Sequence, residues 1–308
     1  MINFRYHVIS IVAVFLALGL GIVMGSTVID RAIVDGLRNR IANAENNSIE
    51  RKTENDRLRS SVKKQDEQDT ALAGHTVRGY LTGQTVFVVT IGDIPEATRV
   101  ETQELLSVSG ARLGSVIDIN EDFLKSDKTK IVKDLIALEN VKTLMGNEKD
   151  KDSQVATVLT QLLNVRAGEA AQVTLPSVQV ADIFETYKSF SEQEQAQSFD
   201  PVQPVSFILL VNRTDLDNER VASFVSRFHS TLPVSIGFVG NETDTPDRSD
   251  AIELLGATLA AFSVVDNAEA PSGRAALLIA HAENITGTHV IYGVSDKAKS
   301  PAPALSSP

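Results

Sequence analysis

Val8 to Ile29 reads VISIVAVFLALGLGIVMGSTVI, 22 residues without a charge. A helix of that length spans about 33 Å, enough to cross a bilayer core of about 30 Å. No other stretch limits the fold as strongly, because a segment that lies in lipid cannot join a water-soluble core. A buried core helix would rarely stay apolar on every face for about six turns. A cleavable signal has a shorter apolar region, about 7–15 residues, and a small-x-small cleavage site that Gly25-Ser26-Thr27 matches poorly. The run is therefore read as an uncleaved transmembrane helix over 8–29. Arg5 precedes it, and Asp30 and Arg31 follow it. That basic flank predicts a cytoplasmic N-terminus over 1–7 and export of everything after Ile29 from the plasma membrane.

Within the span, Ala17, Gly21 and Gly25 recur at four-residue intervals, the spacing at which two membrane helices approach closely. From Asp30 to Leu72 the pattern predicts a coiled coil. With Val34 at position a, the a set is Val34, Ile41, Ser48, Asn55, Val62 and Asp69, and the d set is Leu37, Ala44, Arg51, Leu58, Gln65 and Leu72. Seven of these twelve are apolar, and Asn55 at an a position favours a parallel dimer in one register. The expected assembly is a parallel homodimer through Ala17, Gly21, Gly25, Val34, Leu37, Ile41, Asn55, Leu58 and Val62. The alternative for 30–72 is a single amphipathic helix lying against the rest of the chain. Residues 73–84, with Gly74 and Gly79, are expected to be a hinge.

After the hinge the pattern becomes that of an exported α/β domain over 85–295. Thr85–Ile91 and Pro204–Val211 are continuous apolar runs, each followed by a polar loop, a helical stretch and a second strand, at Arg112–Ile119 and Val234–Val239. Strands apolar on both faces and alternating with helices predict a largely parallel, Rossmann-like sheet flanked by helices. The two β-α-β halves resemble an internal repeat. Further helices are expected at Asp122–Leu138, Ser153–Val165 and Asp182–Gln195. Residues 296–308, DKAKSPAPALSSP, have the composition of a disordered tail.

Chemistry is sparse. The net charge is -11 and no basic stripe is present, which disfavours nucleic acid. Neither Gly92-Asp93-Ile94-Pro95 nor the loop after the second strand run carries a glycine-rich phosphate cradle, so no nucleotide cofactor is expected. No G-x-S-x-G, H-E-x-x-H or thiol nucleophile occurs, so the chain is not expected to be an enzyme. Asp93 is expected to cap the helix after the first strand, and Ser272 to cap the helix near 275–282. Asp266 and Ser272 with His281 or His289 have the residue types of a hydrolytic triad, but sequence proximity gives no triad geometry. There is no cysteine, the methionines are Met1, Met24 and Met145, and the histidines are His7, His75, His229, His281 and His289. Imidazole suits Cu(II), and Cys or Met suit Cu(I). His281 and His289 are thus the candidate metal ligands by residue type, with no spacing that makes a site, and His281 on an apolar helix reads as a packed histidine.

Both ends of the chain carry a resemblance. Val264-Val265-Asp266-Asn267-Ala268-Glu269-Ala270-Pro271-Ser272-Gly273, Ala275–Ala280, Gly287 and Tyr292-Gly293 resemble the C-terminal signature of the MctB/SteB family, and MINFRYHVISIVAVFLALGLGIVMGS is similar to its anchor. The resemblance implies two roles. One is copper export or homeostasis, with copper as a ligand and an outer-membrane location proposed. The other is partnership with SteA, a membrane protein, in cell separation and cell-wall hydrolase control. A helical anchor and few copper ligands make the second the leading expectation: an envelope adaptor at the plasma membrane, with copper homeostasis as the alternative.

Overall fold

The computed structural model describes residues 4–119, 121–166, 175–187, 190–194, 204–212, 224–228, 233–240, 252, 261–295 and 298–303. The chain divides into two compact units, Met1–Gln65 and Asp66–Pro308. The first is formed by α1 (Phe4–Thr76), a continuous helix of 73 residues whose last turns belong to the second unit. Its window Phe4–Gly25 has a mean hydropathy of 2.7 and none of it is buried, so the membrane-spanning helix starts four residues before the apolar run seen in the sequence.

The second unit is a three-layer α/β fold. Its strands are β1 (Thr85–Ile91), β2 (Arg112–Ile119), β3 (Phe190–Glu194), β4 (Val205–Asn212), β5 (Val234–Val239), β6 (Ser263–Val265) and β7 (Ile291–Tyr292). They form one sheet in the order β3-β2-β1-β4-β5-β6-β7. Six strands are parallel, and β3 runs antiparallel to β2 at the edge. Side-chain alternation sends the apolar strand residues to two separate cores. Phe87, Val89, Ile91, Phe207, Leu209 and Val211 pack with α4 (Thr129–Ile136), α6 (Lys151–Arg166) and α7 (Ser177–Thr186) on one face. Val86, Val88, Ile208 and Leu210 pack on the other face with the end of α1, α2 (Glu96–Val108) and α8 (Pro271–Ile285).

Burial on both faces explains why the strand runs were legible, and β1, β2 and β5 have the bounds expected of them. The departures have local causes. The stretch 73–84 is packed: Ala73, Val77 and Leu81 continue a helical four-residue spacing and are buried in the second core, Gly74 lies within α1, and Gly79 and Gly83 mark turns after it. The helix expected over 122–138 is split into α3 (Glu121–Lys125) and α4. Asp127 accepts the Thr129 amide at 3.0 Å and hydroxyl at 2.7 Å, which ends α3 and starts α4. Lys128 is buried there, donating to the carbonyls of Phe123, Leu124 and Ser126 and pairing with Asp152 at 3.3 Å. A short helix, α5 (Val141–Met145), follows α4. The expected helix 182–195 stops at Thr186, and β3 takes the remainder because β2 offers it a free edge. The polar loop and helix expected after β4 lie largely outside the described residues, except that 224–227 are helical. Residues 298–303 are also ordered against the sheet. The Lys299 amide donates to Ile291 at 2.8 Å, and the Gly293 amide donates to Ser300 at 3.1 Å. An unfilled edge at β7 recruits backbone whose composition alone suggested disorder.

Candidate functional site

Open parallel sheets bind ligands beyond the carboxyl ends of their strands, where the strand order reverses. Here that point lies between β1 and β4. The loop after β1 is closed over by its neighbour, because the Asn212 amide donates to the Asp93 carbonyl. Asp93 does not cap α2: the N-cap is Pro95, with no side-chain hydrogen bond. Beside it, Arg99 pairs with Asp118 at 3.1 Å and with Glu96, and Thr90 donates to Asp118 at 2.5 Å. These charges satisfy one another. An open depression of about 450 Å³ between the start of α4 and the start of α6 is lined by Lys125, Lys128, Lys149 and Lys151 together with Asp127, Asp150 and Asp152, a mixed set with one lysine in excess.

The most developed polar constellation lies under α8. Gly237 on β5 lets this alanine-rich helix sit close to the sheet, since a Cβ there would lie 2.6 Å from Leu277. At that approach the fully buried His281 reaches two strands. Its Nδ1 is 2.9 Å from Ser235 Oγ and its Nε2 is 2.8 Å from Ser206 Oγ. The Asn284 amide adds bonds to Val234 O at 2.6 Å and Ser235 Oγ at 3.1 Å. Burial disfavours the imidazolium and pushes the His281 pKa down to about 3. The histidine is therefore neutral, one nitrogen donating and the other accepting. Sequence reading missed the serines, although both strands open with the same triplet, Pro204-Val205-Ser206 and Pro233-Val234-Ser235. A hydroxyl inside an apolar strand needs a buried partner.

The residues of the conceivable triad are not brought together by any hydrogen bond among the described residues. Asp266 is buried and accepts the amides of Val294 at 2.8 Å and Ser295 at 2.9 Å. Ser272 is exposed, and α8 is capped by Ala270 with Pro271 at its first position, so Ser272 is not its N-cap. His289 is exposed in the turn before β7. The candidate copper ligands are not brought together among the described residues. Both ring nitrogens of His281 are engaged, Met145 is buried in the first core, and His229 lies outside the described residues. Among the described residues, no group of three or more His, Asp or Glu could hold a metal ion.

On α1, the seam positions Leu37, Ile41, Leu58 and Val62 are all about half exposed. Helix continuity fixes where the small residues lie relative to them. At about 100° per residue, Ala17, Gly21 and Gly25 fall roughly 140° to 180° from the direction of Leu37 and Ile41. The two sets cannot serve the same two-helix contact, which corrects the expectation that they would cooperate. Val34 and Asn55 hold seam positions on the same helix.

The family profile described as copper transport outer membrane protein, MctB, matches residues 1–303. The chain belongs to the MctB family. Relatives named copper transporter MctB include those of Mycobacterium tuberculosis and Mycobacterium bovis, each 25% identical over 320 residues, covering 97% of this chain and 98% of the relative. The Mycobacterium leprae copper transporter MctB is 24% identical over 314 residues. These matches name copper transport and do not name SteA or cell separation, so they reverse the order of the two roles expected from the sequence.

Proposed function

We propose that this MctB-family protein is a non-enzymatic, membrane-anchored component of copper homeostasis, with copper as the cargo of the system in which it works. The observation that carries this reading is the family match from residue 1 to residue 303, which includes both the anchor and the α/β unit. In this reading the N-terminus faces the cytoplasm, as Arg5 directs, and the α/β unit is exported. The anchor sits in the plasma membrane, because outer-membrane spans are strands of closed barrels. The dispersed His and Met residues support a role exerted through assembly with other envelope components, without a tight copper centre in a single copy.

Deleting the gene in the source organism should lower copper tolerance and raise cell-associated copper, with recovery from the full chain but not from a chain lacking Phe4–Gly25. Unchanged tolerance and copper content in the deletion strain would end the copper reading. Titrating the detergent-solubilised full chain with Cu(I) should show no stoichiometric sub-micromolar site. A tight site abolished by His289→Ala would instead make the protein itself the carrier.

A second reading, an envelope adaptor beside a SteA-like membrane protein in cell separation, is supported by the small-residue face. The helix turns Ala17, Gly21 and Gly25 away from the seam, which leaves them for a membrane helix of another kind. Chains of unseparated cells with normal copper tolerance after deletion would favour this reading.

A further inference from the structure

We propose that a second copy of this chain docks along the α1 seam, parallel and in register. The seam is apolar at Leu37, Ile41, Leu58 and Val62, and each of these side chains is about half exposed in a single copy. What identifies the occupant is the charge pattern beside the seam. With Val34 at a, the g positions include Arg40 and Glu54 and the e positions include Glu45 and Arg59. In a parallel pair, a g residue faces the e residue five places further along the other helix. Arg40 then faces Glu45 of the second copy, and Glu54 faces Arg59. Every pair in which both members are charged is thus of opposite sign.

The same residues oppose the alternatives. A slip of one heptad forward sets Arg40 against Lys52 and Glu54 against Asp66, two like-charge pairs. A slip backward sets Arg40 against Arg38 but Glu54 against Lys52, so there the charges cancel and the Asn55 layer decides. Only the unshifted register pairs the Asn55 amides across the seam, and a displaced Asn55 would face an apolar or mismatched layer. Copies anchored by the same N-terminal helix in one membrane are also constrained to run the same way. The seam is weak in its middle, at Ser48 and Arg51. Confinement to one membrane raises the effective concentration of the second helix and offsets that weakness. This proposal goes beyond the copper reading and is independent of it, since copper plays no part in the contact.

Because the chain lacks cysteine, single cysteines report on the contact in the full-length protein in native membranes. Leu37→Cys and Leu58→Cys, treated with a short thiol crosslinker, should move most of the protein to a band at twice the 33.2 kDa monomer. Asn39→Cys and Ser60→Cys, on the outer face, should crosslink severalfold less. In cells making two differently tagged copies, Leu37→Cys should not crosslink to Leu58→Cys. Glu54→Arg should cut the Leu58→Cys product severalfold, and adding Arg59→Glu should restore it, which separates lost pairing from misfolding. Equal crosslinking on seam and outer face, a mixed 37–58 product, failure of the charge reversal to rescue, or capture of a protein of another mass in place of the doubled band would each overturn the proposal.

Discussion

Acidifying the protein from pH 6.5 towards pH 3 is expected to lower its stability progressively through His281, by on the order of 1 kcal/mol per pH unit. In the unfolded chain this imidazole takes up a proton near pH 6.5, whereas burial in the folded core delays protonation to about pH 3. Between those values the unfolded state binds the extra proton, so stability rises with pH across the window and is lost as pH falls. Above pH 6.5 the group is neutral in both states and contributes no slope. His281→Leu should therefore flatten the acid limb of the stability profile while lowering its plateau. The plateau falls because Ser206 and Ser235 both lose their ring partner, at about 2–3 kcal/mol together. Thermal unfolding of the detergent-solubilised chain by circular dichroism, at several pH values, measures both effects. Profiles for the two proteins that stay parallel through the acid range would show that His281 is not the group responsible.

Gly273→Ala should destabilise the α/β unit by about 3–5 kcal/mol, or roughly 6–20 °C in melting temperature. Alanine is normally the better helix former by about 1 kcal/mol, so helix propensity alone predicts the opposite sign. Here an added Cβ would lie 1.9 Å from the Asn267 carbonyl oxygen and 2.6 Å from its carbon. Both are backbone atoms at the end of the turn that leads from β6 into α8, and they cannot yield as a flexible side chain would. Relief would require lifting α8, which would pull His281 away from β4 and β5. Ser272→Ala, one residue earlier on the exposed side, should change stability by less than about 0.5 kcal/mol. Equal, small effects from the two substitutions would show that the turn is looser than its geometry indicates.

These two residues also mark how far the sequence could be read. The parallel sheet was legible because TVFVVTI, SFILLV and VSIGFV are apolar on both faces, a pattern few other structures produce. The antiparallel β3 was not, since its strand character comes from pairing with β2 and not from its own residues. Likewise Ala73, Val77 and Leu81 belong to a helix-like series hidden among glycines, and only the sheet face beneath them turns that series into core. At the polar centre, His281 was visible as a histidine on an apolar helix. Its partners stand 46 and 75 residues away in sequence, at the starts of two strands. The doubled Pro-Val-Ser was the available signal, and it acquires meaning only once β4 and β5 are known to be neighbours.

The ends of the sheet bear on the protein's behaviour when it is made in quantity. A row of apolar parallel strands with an open rim is a template on which other chains can stack. This rim is short at one end, where β7 has two residues and Ser300 already bridges to Tyr292. Truncating the chain after Ser295 would strip that cover and expose the β7 backbone while keeping the Val294 and Ser295 amides on buried Asp266. Such a truncated protein should fold and then self-associate with increasing concentration, which would make the Lys299–Ser300 backbone a guard of this edge against aggregation.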